Sequence, residues 1–292
     1  MNNFYKKFHH LSIIKKILIL LFLNSIMITI LTLSIDPFSS WLGKIIPLAY
    51  EEKIFNPATT LFLKSRNCVN PLIKRELKQY ARMIFPENDP VIDKIEIIPL
   101  RIANAFALPG GHIIITSKLI EELKTAEALL GVLAHEKAHI ELRHISGAWI
   151  RTILMTSLWS LLFGDISGIL VIDPMTIERM SNLKYSRDLE LAADLHALGI
   201  LRKNSISPQG LISFLEKLHL MENSPGGTIS KIHDFTKPLL HLFSTHPDSL
   251  QRANLIRAAT AKWSSPLVTT PENLSLENWK KYQNLISLAC NH

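Results

Sequence analysis

A run of apolar residues near the N-terminus limits the folds open to this chain more than any other feature. Residues 17–35 read ILILLFLNSIMITILTLSI and contain no charge. Nineteen residues of helix rise about 28 Å, close to the roughly 30 Å hydrocarbon core of a bilayer. A helix buried in a soluble protein would carry polar residues along one face, whereas only Asn24, Ser25 and a few hydroxyl groups interrupt this run. The sequence therefore predicts one N-terminal transmembrane helix.

The charges that flank this run predict its orientation. Lysines precede it and acidic residues follow it: Lys6, Lys7, Lys15 and Lys16 before, and Asp36, Glu51 and Glu52 after. Because positive flanks stay in the cytoplasm, we expect a single-pass protein of the bacterial inner membrane, with its N-terminus in the cytoplasm and the remainder in the periplasm. The alternative is export after signal cleavage, since residues 32–34 read TLS, a weak small-x-small site.

Composition limits the partners. The net charge at pH 7 is +7, and the flanking lysines supply more than half of it. The other Lys and Arg residues are scattered, so we expect no nucleic-acid partner. Hydrophobic residues make up 47% of the chain, which indicates contact with membrane lipid. The two cysteines, Cys68 and Cys290, either form one long-range disulfide in an oxidising compartment or remain free thiols.

A second apolar stretch, residues 149–172, reads WIRTILMTSLWSLLFGDISGILVI. Gly164, Asp165 and Gly168 interrupt it, which favours two short helical arms with a bend over one continuous helix. We expect residues 146–172 to form an apolar hairpin that is membrane-associated or packed on the domain.

The rest of the chain predicts an α+β fold that is mainly helical with a small sheet. Short strands are expected in KIEIIPL, NAFALP and HIIITS, with a Pro-Gly-Gly turn before the last. Ser117 and Thr125 are the expected N-caps of two helices, the second of which runs to about His144. Further helices are expected over 71–84, 175–203, 208–221, 247–263 and 275–289.

The segment 132–144 reads VLAHEKAHIELRH and carries the pattern that most directly indicates chemistry. Residues four apart lie on one face of a helix, so His135 and His139 can offer two imidazoles to one metal ion. Glu136, one step round the helix, lies where it can act as general base towards a metal-activated water. The alternative is a chance match among the 12 histidines of the chain.

A third ligand can come from the segment 185–198, YSRDLELAADLHAL. His144 is no substitute, because on a continuous helix it lies about 140° round the axis from His139. Glu190 can complete a His-His-Glu site and leave the fourth position for water. Asp194 can accept the free ring N–H of a ligating histidine and fix its tautomer. The alternative is an ordinary charged helix in solvent.

Four ordered motifs, NAFALPGGHIIIT, VLAHEKAHIELRH, YSRDLELAAD and STHPDSLQR, resemble the family of metallopeptidases that includes HtpX, the CAAX prenyl proteases and periplasmic quality-control proteases. The resemblance covers roughly residues 70–260. It implies a zincin fold of the gluzincin type and one Zn²⁺ per subunit. The residues it assigns are His135, His139 and Glu190 on zinc and Glu136 as base.

Two features depart from the family pattern. Lys137 occupies a position that is usually apolar, and we expect its side chain to point away from the metal. Only one firm transmembrane segment is present, unlike the multi-span HtpX and prenyl proteases. The second departure favours the singly anchored or exported branch of the family and argues against prenylated substrates.

The ligand assignment also bears on the domain organisation. The stretch 149–172 lies between two residues that must meet at one zinc ion, so a single crossing of the membrane is excluded, and a re-entrant or surface-lying hairpin fits better. The predicted segments are a basic cytoplasmic flank (1–16), a transmembrane anchor (17–35), a linker (36–70), the zinc metallopeptidase domain (71–265) and a C-terminal helix (266–292).

Substrate recognition is expected from the strand region. Residues 112–116, HIIIT, are predicted as an edge strand that pairs with an extended peptide, and an internal strand without an exposed edge is the alternative. The candidate substrate-binding residues are Asn104, Ala105, Phe106, His112, Ile113 and Ile114.

The motif STHPDSLQR allows two interpretations. His246 either approaches the metal as a further catalytic residue or belongs to a helix start that Pro247 and Asp248 open. Arg252 is expected to pair with Asp194 or a nearby carboxylate.

These observations predict a membrane-anchored zinc endopeptidase that cleaves unfolded or misassembled envelope proteins by a metal-activated water, with Glu136 as general base. A zinc-stabilised chaperone or assembly factor with little proteolytic activity is the alternative, since it would keep the ligands without needing that base. A cytoplasmic peptidase of inverted topology is a third possibility. The sequence leaves the oligomeric state undetermined.

Overall fold

In a computed structural model of the chain, the structure describes residues 12–64, 68, 70–164, 172, 174–180, 185–222, 248–261, 263 and 275–290. His246, most of the basic flank and the second arm of the predicted apolar hairpin lie outside the described residues.

The helices of the described residues lie on both sides of a small sheet. They are α1 (Ile13–Ile45), α2 (Leu48–Lys64), α3 (Pro71–Arg82), α4 (Ser117–Glu122), α5 (Ala126–Glu141), α6 (His144–Phe163), α7 (Pro174–Met180), α8 (Arg187–Lys203), α9 (Gln209–Glu222), α10 (Ser249–Thr260) and α11 (Leu276–Cys290). A short 3-10 helix, Pro90–Lys94, precedes the sheet. The α+β class is confirmed.

The sheet has three strands, β1 (Ile95–Ile98), β2 (Ala105–Leu108) and β3 (His112–Thr116). Their order is β1-β3-β2, with β3 parallel to β1 and antiparallel to β2. The turn between β2 and β3 uses Gly110 and Gly111 at φ of 82° and 83°, a region that L side chains rarely adopt. All three predicted strands are confirmed.

The prediction that residues 112–116 form an edge strand is wrong. The strand β3 is central, because it pairs with β2 on one side and in parallel with β1 on the other. The local sequence does not reveal the pairing with β1. Within the described residues, β1 and β2 each pair on one side only. Of these two edge strands, β2 is the one that lies against the helix α5.

The core lies on both faces of the sheet, because side chains alternate across each strand. On one face, Ile113 and Ile115 pack with α3, α5, α8, α9 and α11. On the other, Phe106 and Ile114 pack with Phe55 of α2 and Trp149 of α6. The site helix α5 therefore lies inside the larger cluster, and α2 and α6 cover the opposite face.

The helices α1 and α6 pack against each other as an antiparallel pair. A Cβ added to Gly43 would lie 2.6 Å from the backbone nitrogen of Gly147, so the two helices touch through backbone. Asp36 of α1 and Arg151 of α6 form an ion pair further along. Among the described residues, α1 and α6 are the two helices long and apolar enough to cross a membrane.

Helix boundaries differ from the prediction in three places. Residues 175–203 form two helices, α7 and α8, because Ser186 leaves helical geometry to cap α8 through a hydrogen bond from Leu189 N. The cap of α4 is Thr116 rather than Ser117. The helix that begins after Thr125 ends at Glu141 and does not continue to His144.

Most of the segment predicted as a linker, 36–70, is helical. The helix α1 continues to Ile45, and α2 follows after two residues. Phe55 and Phe62 of α2 are buried against the sheet, so this segment belongs to the packed body of the molecule.

A disulfide joins Cys68 to Cys290, whose Cα atoms are 5.4 Å apart. It fastens the segment before α3 to the last residue of α11. This resolves the alternatives that the sequence left open, in favour of the bridge.

Candidate metal centre

The helix α5 places three polar side chains in an apolar interior. Thr125 opens it by accepting a hydrogen bond from Ala128 N at 3.3 Å. His135, Glu136 and His139 are 5%, 3% and 0% exposed. Polar groups buried to this extent are costly unless they are partnered, so their neighbours decide what the helix is for.

The helix α8 brings a carboxylate to the same point. Glu190 lies in its first turn and is 1% exposed, while Ala193 on the same helix is fully buried. The small side chain of Ala193 allows α8 to pack closely on α5. The helix α8 therefore turns the face that carries Glu190, Ala193 and Asp194 towards the interior.

The three predicted ligands converge. The Nε2 atoms of His135 and His139 are 3.0 Å apart, and each lies 3.5 Å from an oxygen of Glu190. Ligands about 2.0–2.1 Å from a tetrahedral zinc ion are separated by roughly 3.3 Å, so these spacings fit that ion. Within the described residues this is the group of His, Cys, Asp and Glu side chains that could hold a metal.

Asp194 fixes how His135 faces the others. Its Oδ1 lies 3.0 Å from Nδ1 of His135. A carboxylate only accepts hydrogen bonds, so Nδ1 carries the proton and the lone pair of Nε2 points towards His139 and Glu190. Burial acts to lower the pKa of His135, but the bonds to Asp194 and Glu190 outweigh it and raise the pKa to about 9. The carboxylates of Asp194 and Glu190 therefore favour a positive charge at this ring.

Arg252 of α10 binds both carboxylates of α8. Its guanidinium donates to Asp194 at 2.7 and 2.8 Å, and its Nη1 lies 2.9 Å from Oε2 of Glu190. Burial raises the pKa of Asp194, but Arg252 more than offsets this, and the pKa is lowered to about 2. The expected pairing of Arg252 with Asp194 is thus found, and it keeps Asp194 ionised.

Two residues of the site were missed by the sequence reasoning. Nδ1 of His144 lies 3.0 Å from Nδ1 of His139, and the ring of Tyr185 stacks on His139 with centroids 4.2 Å apart. Burial, followed by Glu136 and Glu190, raises the pKa of Tyr185 well above its usual value, so its hydroxyl stays protonated. Arg143, the left-handed residue directly before α6, turns the chain back and brings His144 to His139, and the local sequence has no signal for this turn.

Lys137, the departure from the family pattern, binds away from the three ligands. Its ammonium lies 2.7 Å from Oδ2 of Asp89 and 5.7 Å from the centroid of the Phe85 ring. The side chain is 8% exposed, so the ion pair satisfies a buried charge.

The candidate substrate residues are divided between two strands. Asn104 and Thr116 bridge the two strands, since Thr116 N donates to Asn104 O at 2.9 Å. Ala105 and Phe106 belong to β2. Ile113 and Ile114 are fully buried in the central strand, and His112 is its half-buried first residue. Ala105 and Phe106 therefore lie on an edge strand, whereas residues 112–114 lie on the central strand.

The chain is similar in sequence to known metallopeptidases. Residues 69–260 match the family described as Peptidase family M48. The chain is 25% identical over 215 residues to mitochondrial metalloendopeptidase OMA1 of Saccharomyces cerevisiae, which covers 69% of this chain and 56% of OMA1. It is 31% identical over 160 residues to metalloprotease YcaL of Escherichia coli, covering 53% of this chain and 57% of YcaL.

A third relative is the beta-barrel assembly-enhancing protease of Escherichia coli, at 29% identity over 126 residues, 39% of this chain and 26% of that protein. The chain spans little more than half the length of OMA1 and YcaL.

Proposed function

The chain belongs to peptidase family M48, and we propose that it is a membrane-anchored zinc endopeptidase that cleaves unfolded or misassembled envelope proteins. The observation that carries this proposal is the convergence of His135, His139 and Glu190 beside the buried Glu136. The metalloprotease names of the relatives agree with it.

His135, His139 and Glu190 would hold one zinc ion per subunit. When bound, zinc polarises a peptide carbonyl and lowers the pKa of water. The carboxylate of Glu136 takes the proton of the attacking water and delivers it to the leaving amine. Asp194 holds the Nδ1 proton of His135, and Arg252 keeps Asp194 ionised.

Substrate would bind as an extended strand. The strand β2, with Ala105 and Phe106, lies beside α5 and offers backbone groups on its unpaired side, whereas the backbone groups of Asn104 are bonded to Thr116. Pairing through backbone is indifferent to side-chain sequence. This suits unfolded or loosely structured segments. His246 remains a candidate for a further catalytic group near the metal.

The helix α1 would anchor the protein in the bacterial inner membrane with the peptidase domain, residues 71–265, in the periplasm. The lysines before the apolar run of α1 support this orientation. The Cys68–Cys290 disulfide supports it independently, because such bonds persist in oxidising compartments and are rare in the cytoplasm. Export after signal cleavage gives the same compartment.

Thiol alkylation in intact bacteria tests the compartment. We expect Cys68 and Cys290 to react only after a reductant is added and the protein is unfolded. A periplasm-active reporter fused after residue 60 should be active. Free thiols together with an inactive reporter would instead support the inverted, cytoplasmic topology.

Cleavage of an unfolded polypeptide tests the activity. The full chain in lipid nanodiscs is compared with Glu136→Gln and with the control Glu141→Gln, which changes a half-exposed carboxylate on the same helix. We expect Glu136→Gln to lose activity by on the order of 10²–10⁴-fold and to retain zinc, with the control close to wild type.

The rival function is that of a zinc-stabilised chaperone or assembly factor. It predicts that neither wild type nor Glu136→Gln cleaves, that both hold zinc, and that both suppress aggregation of the unfolded polypeptide equally. Equal cleavage by both would place the base elsewhere.

A further inference from the structure

The distal part of α6 carries an apolar surface that the fold leaves uncovered. Residues 152–163 read TILMTSLWSLLF and contain no charge. Among the described residues, Leu161 and Phe163 are 81% and 75% exposed, and Trp159 is 46% exposed. The start of the same helix is different, because Trp149 and Ile150 are buried against the sheet and Ile153 and Leu154 are partly buried against the same cluster. One helix therefore has a domain-bound beginning and an exposed apolar end.

The position of this end follows from the pairing of α6 with α1. The contact of Gly43 with Gly147 and the ion pair of Asp36 with Arg151 fix an antiparallel register. From Arg151, the helix continues for twelve residues, or up to about 18 Å, away from the domain. The apolar run of α1, residues 17–35, ends just before Asp36. The tip of α6 therefore lies beside the middle of that run.

The exposed side chains of the two helices form one continuous apolar surface. At the level of the α6 tip, Phe22, Leu23 and Met27 of α1 are 66%, 55% and 50% exposed. Leu161 and Phe163 of α6 lie in the same layer. The end of α6 is therefore in the same medium, water or lipid, as this part of α1.

The chain must return to the domain after the tip. His139 before α6 and Glu190 after it meet at the metal centre, so α6 does not cross to the other side. Ile177 of α7 is fully buried in the same cluster as Phe55 and Trp149, at the level of the sheet. The eleven steps from Phe163 to Pro174 can span up to about 37 Å, which exceeds the roughly 18 Å by which α6 extends beyond Arg151.

We infer that residues 155–163 of α6 enter the bilayer beside α1 and contact lipid directly, as a second membrane contact that goes in without crossing. This rests on the proposed anchorage of the protein by α1. The occupant is the acyl-chain region of the same membrane, because the apolar surface is continuous with that of α1 and has no charge to repel it.

The insertion holds the metal centre close to the membrane surface. His144 is the first residue of α6 and contacts His139, and it precedes Arg151 by seven residues, or about 10 Å of helix. The two membrane contacts together prevent the domain from swinging about α1.

Depth-dependent fluorescence quenching tests the inference. Single cysteines are introduced in the full chain as Leu161→Cys and Phe163→Cys, labelled with a small fluorophore, and placed in phosphatidylcholine nanodiscs. Both native cysteines are paired in the disulfide, so the new thiol takes the label. Leu288→Cys is the matched control, since Leu288 of α11 is also 81% exposed. Leu23→Cys reports α1.

We expect acyl-chain nitroxide lipids to quench the probes at positions 161, 163 and 23 at least threefold more than the probe at 288, and aqueous iodide to show the reverse order. Iodide quenching at 161 and 163, with lipid quenching at 23, overturns the inference while the anchor stands. Protection from both quenchers at 161 and 163 overturns it in favour of a covering protein, such as a second copy. Iodide quenching at 23 refutes the anchorage itself.

Discussion

The Nδ1 atom of His144 lies 3.0 Å from the Nδ1 atom of His139, on the side of the imidazole that faces away from Glu190. A histidine that binds metal through Nε2 carries its proton on Nδ1, so His139 donates this bond and His144 accepts it. The two histidines proposed to bind zinc thus have different partners, a neutral imidazole for His139 and the Asp194 carboxylate for His135.

Removing this acceptor should weaken metal binding. We predict that His144→Phe lowers zinc affinity by roughly 10–100-fold, since outer partners orient the ligating ring. His144→Asn should recover part of the loss, because its amide oxygen can accept a hydrogen bond from the same side. Zinc affinity is measured by competition with a chromogenic chelator. The control is His196→Phe, on the exposed side of α8. Equal affinity in His144→Phe and the control would show that the contact has no role in metal binding.

A buried carboxylate joins the anchor to the metal-site helix. Glu51 of α2 is 1% exposed and accepts hydrogen bonds from Arg143, Ser146 and Gly110 N. Arg143, which lies between α5 and α6, also donates to the carbonyl oxygens of Gly43 and Ile46 at the end of α1. These bonds hold α1, α2, the β2–β3 turn and the end of α5 together.

We predict that Glu51→Gln lowers the free energy of unfolding by roughly 3–5 kcal/mol, because it leaves the Arg143 charge without its buried partner. Glu52→Gln is the control, since Glu52 pairs with Lys94 at a side chain that is 42% exposed, and should cost less than about 1 kcal/mol. Denaturant titration of the full chain in detergent measures both. A cost for Glu51→Gln as small as that of Glu52→Gln would contradict the proposed linkage.

His112 should make the fold sensitive to acid. Burial, followed by the charge of Lys94, lowers its pKa to about 4, and neither ring nitrogen has a hydrogen-bond partner among the described residues. The unfolded chain binds a proton near pH 6.5, whereas the folded chain does so only near pH 4. Stability from this group is therefore complete above about pH 6.5 and is lost as the pH falls towards 4.

We predict that His112→Leu loses less thermal stability than wild type between about pH 7.5 and about pH 5, because leucine does not titrate. Tryptophan fluorescence follows unfolding at each pH. His196→Leu, a more exposed position, should behave as wild type. If His112→Leu and wild type lose the same stability on acidification, His112 is not the group responsible.

The shared face of His135 and His139 could be predicted because it depends on local helix geometry, whereas their meeting with Glu190 depends on the packing of α8 on α5. The spacing of four residues between His135 and His139 survives in the folded chain unchanged. His144 could not be predicted by the same reasoning, since that reasoning assumed a continuous helix. Arg143 at φ of 63° breaks the helix and returns the imidazole of His144 to His139.

Non-local pairing explains the other differences. The central position of β3 depends on its parallel pairing with β1, and the disulfide joins residues separated by 222 positions. Neither leaves a periodic pattern in the sequence. The segment 36–70 looked like a linker because the apolar face of α2 becomes meaningful only when the sheet against which Phe55 and Phe62 pack is known.

The central claim is that one zinc ion at His135, His139 and Glu190 is required for peptide-bond hydrolysis. The most direct measurement strips the full chain of metal with a chelator in nanodiscs, returns zinc stepwise, and records cleavage of an unfolded polypeptide at each step. We predict that the rate rises in proportion to bound zinc and reaches its plateau at about one ion per chain. Glu190→Gln should shift this curve to higher zinc, whereas Asp188→Asn on the exposed side of α8 should not. Full cleavage by the stripped protein, or a plateau that does not depend on Glu190, would contradict the claim.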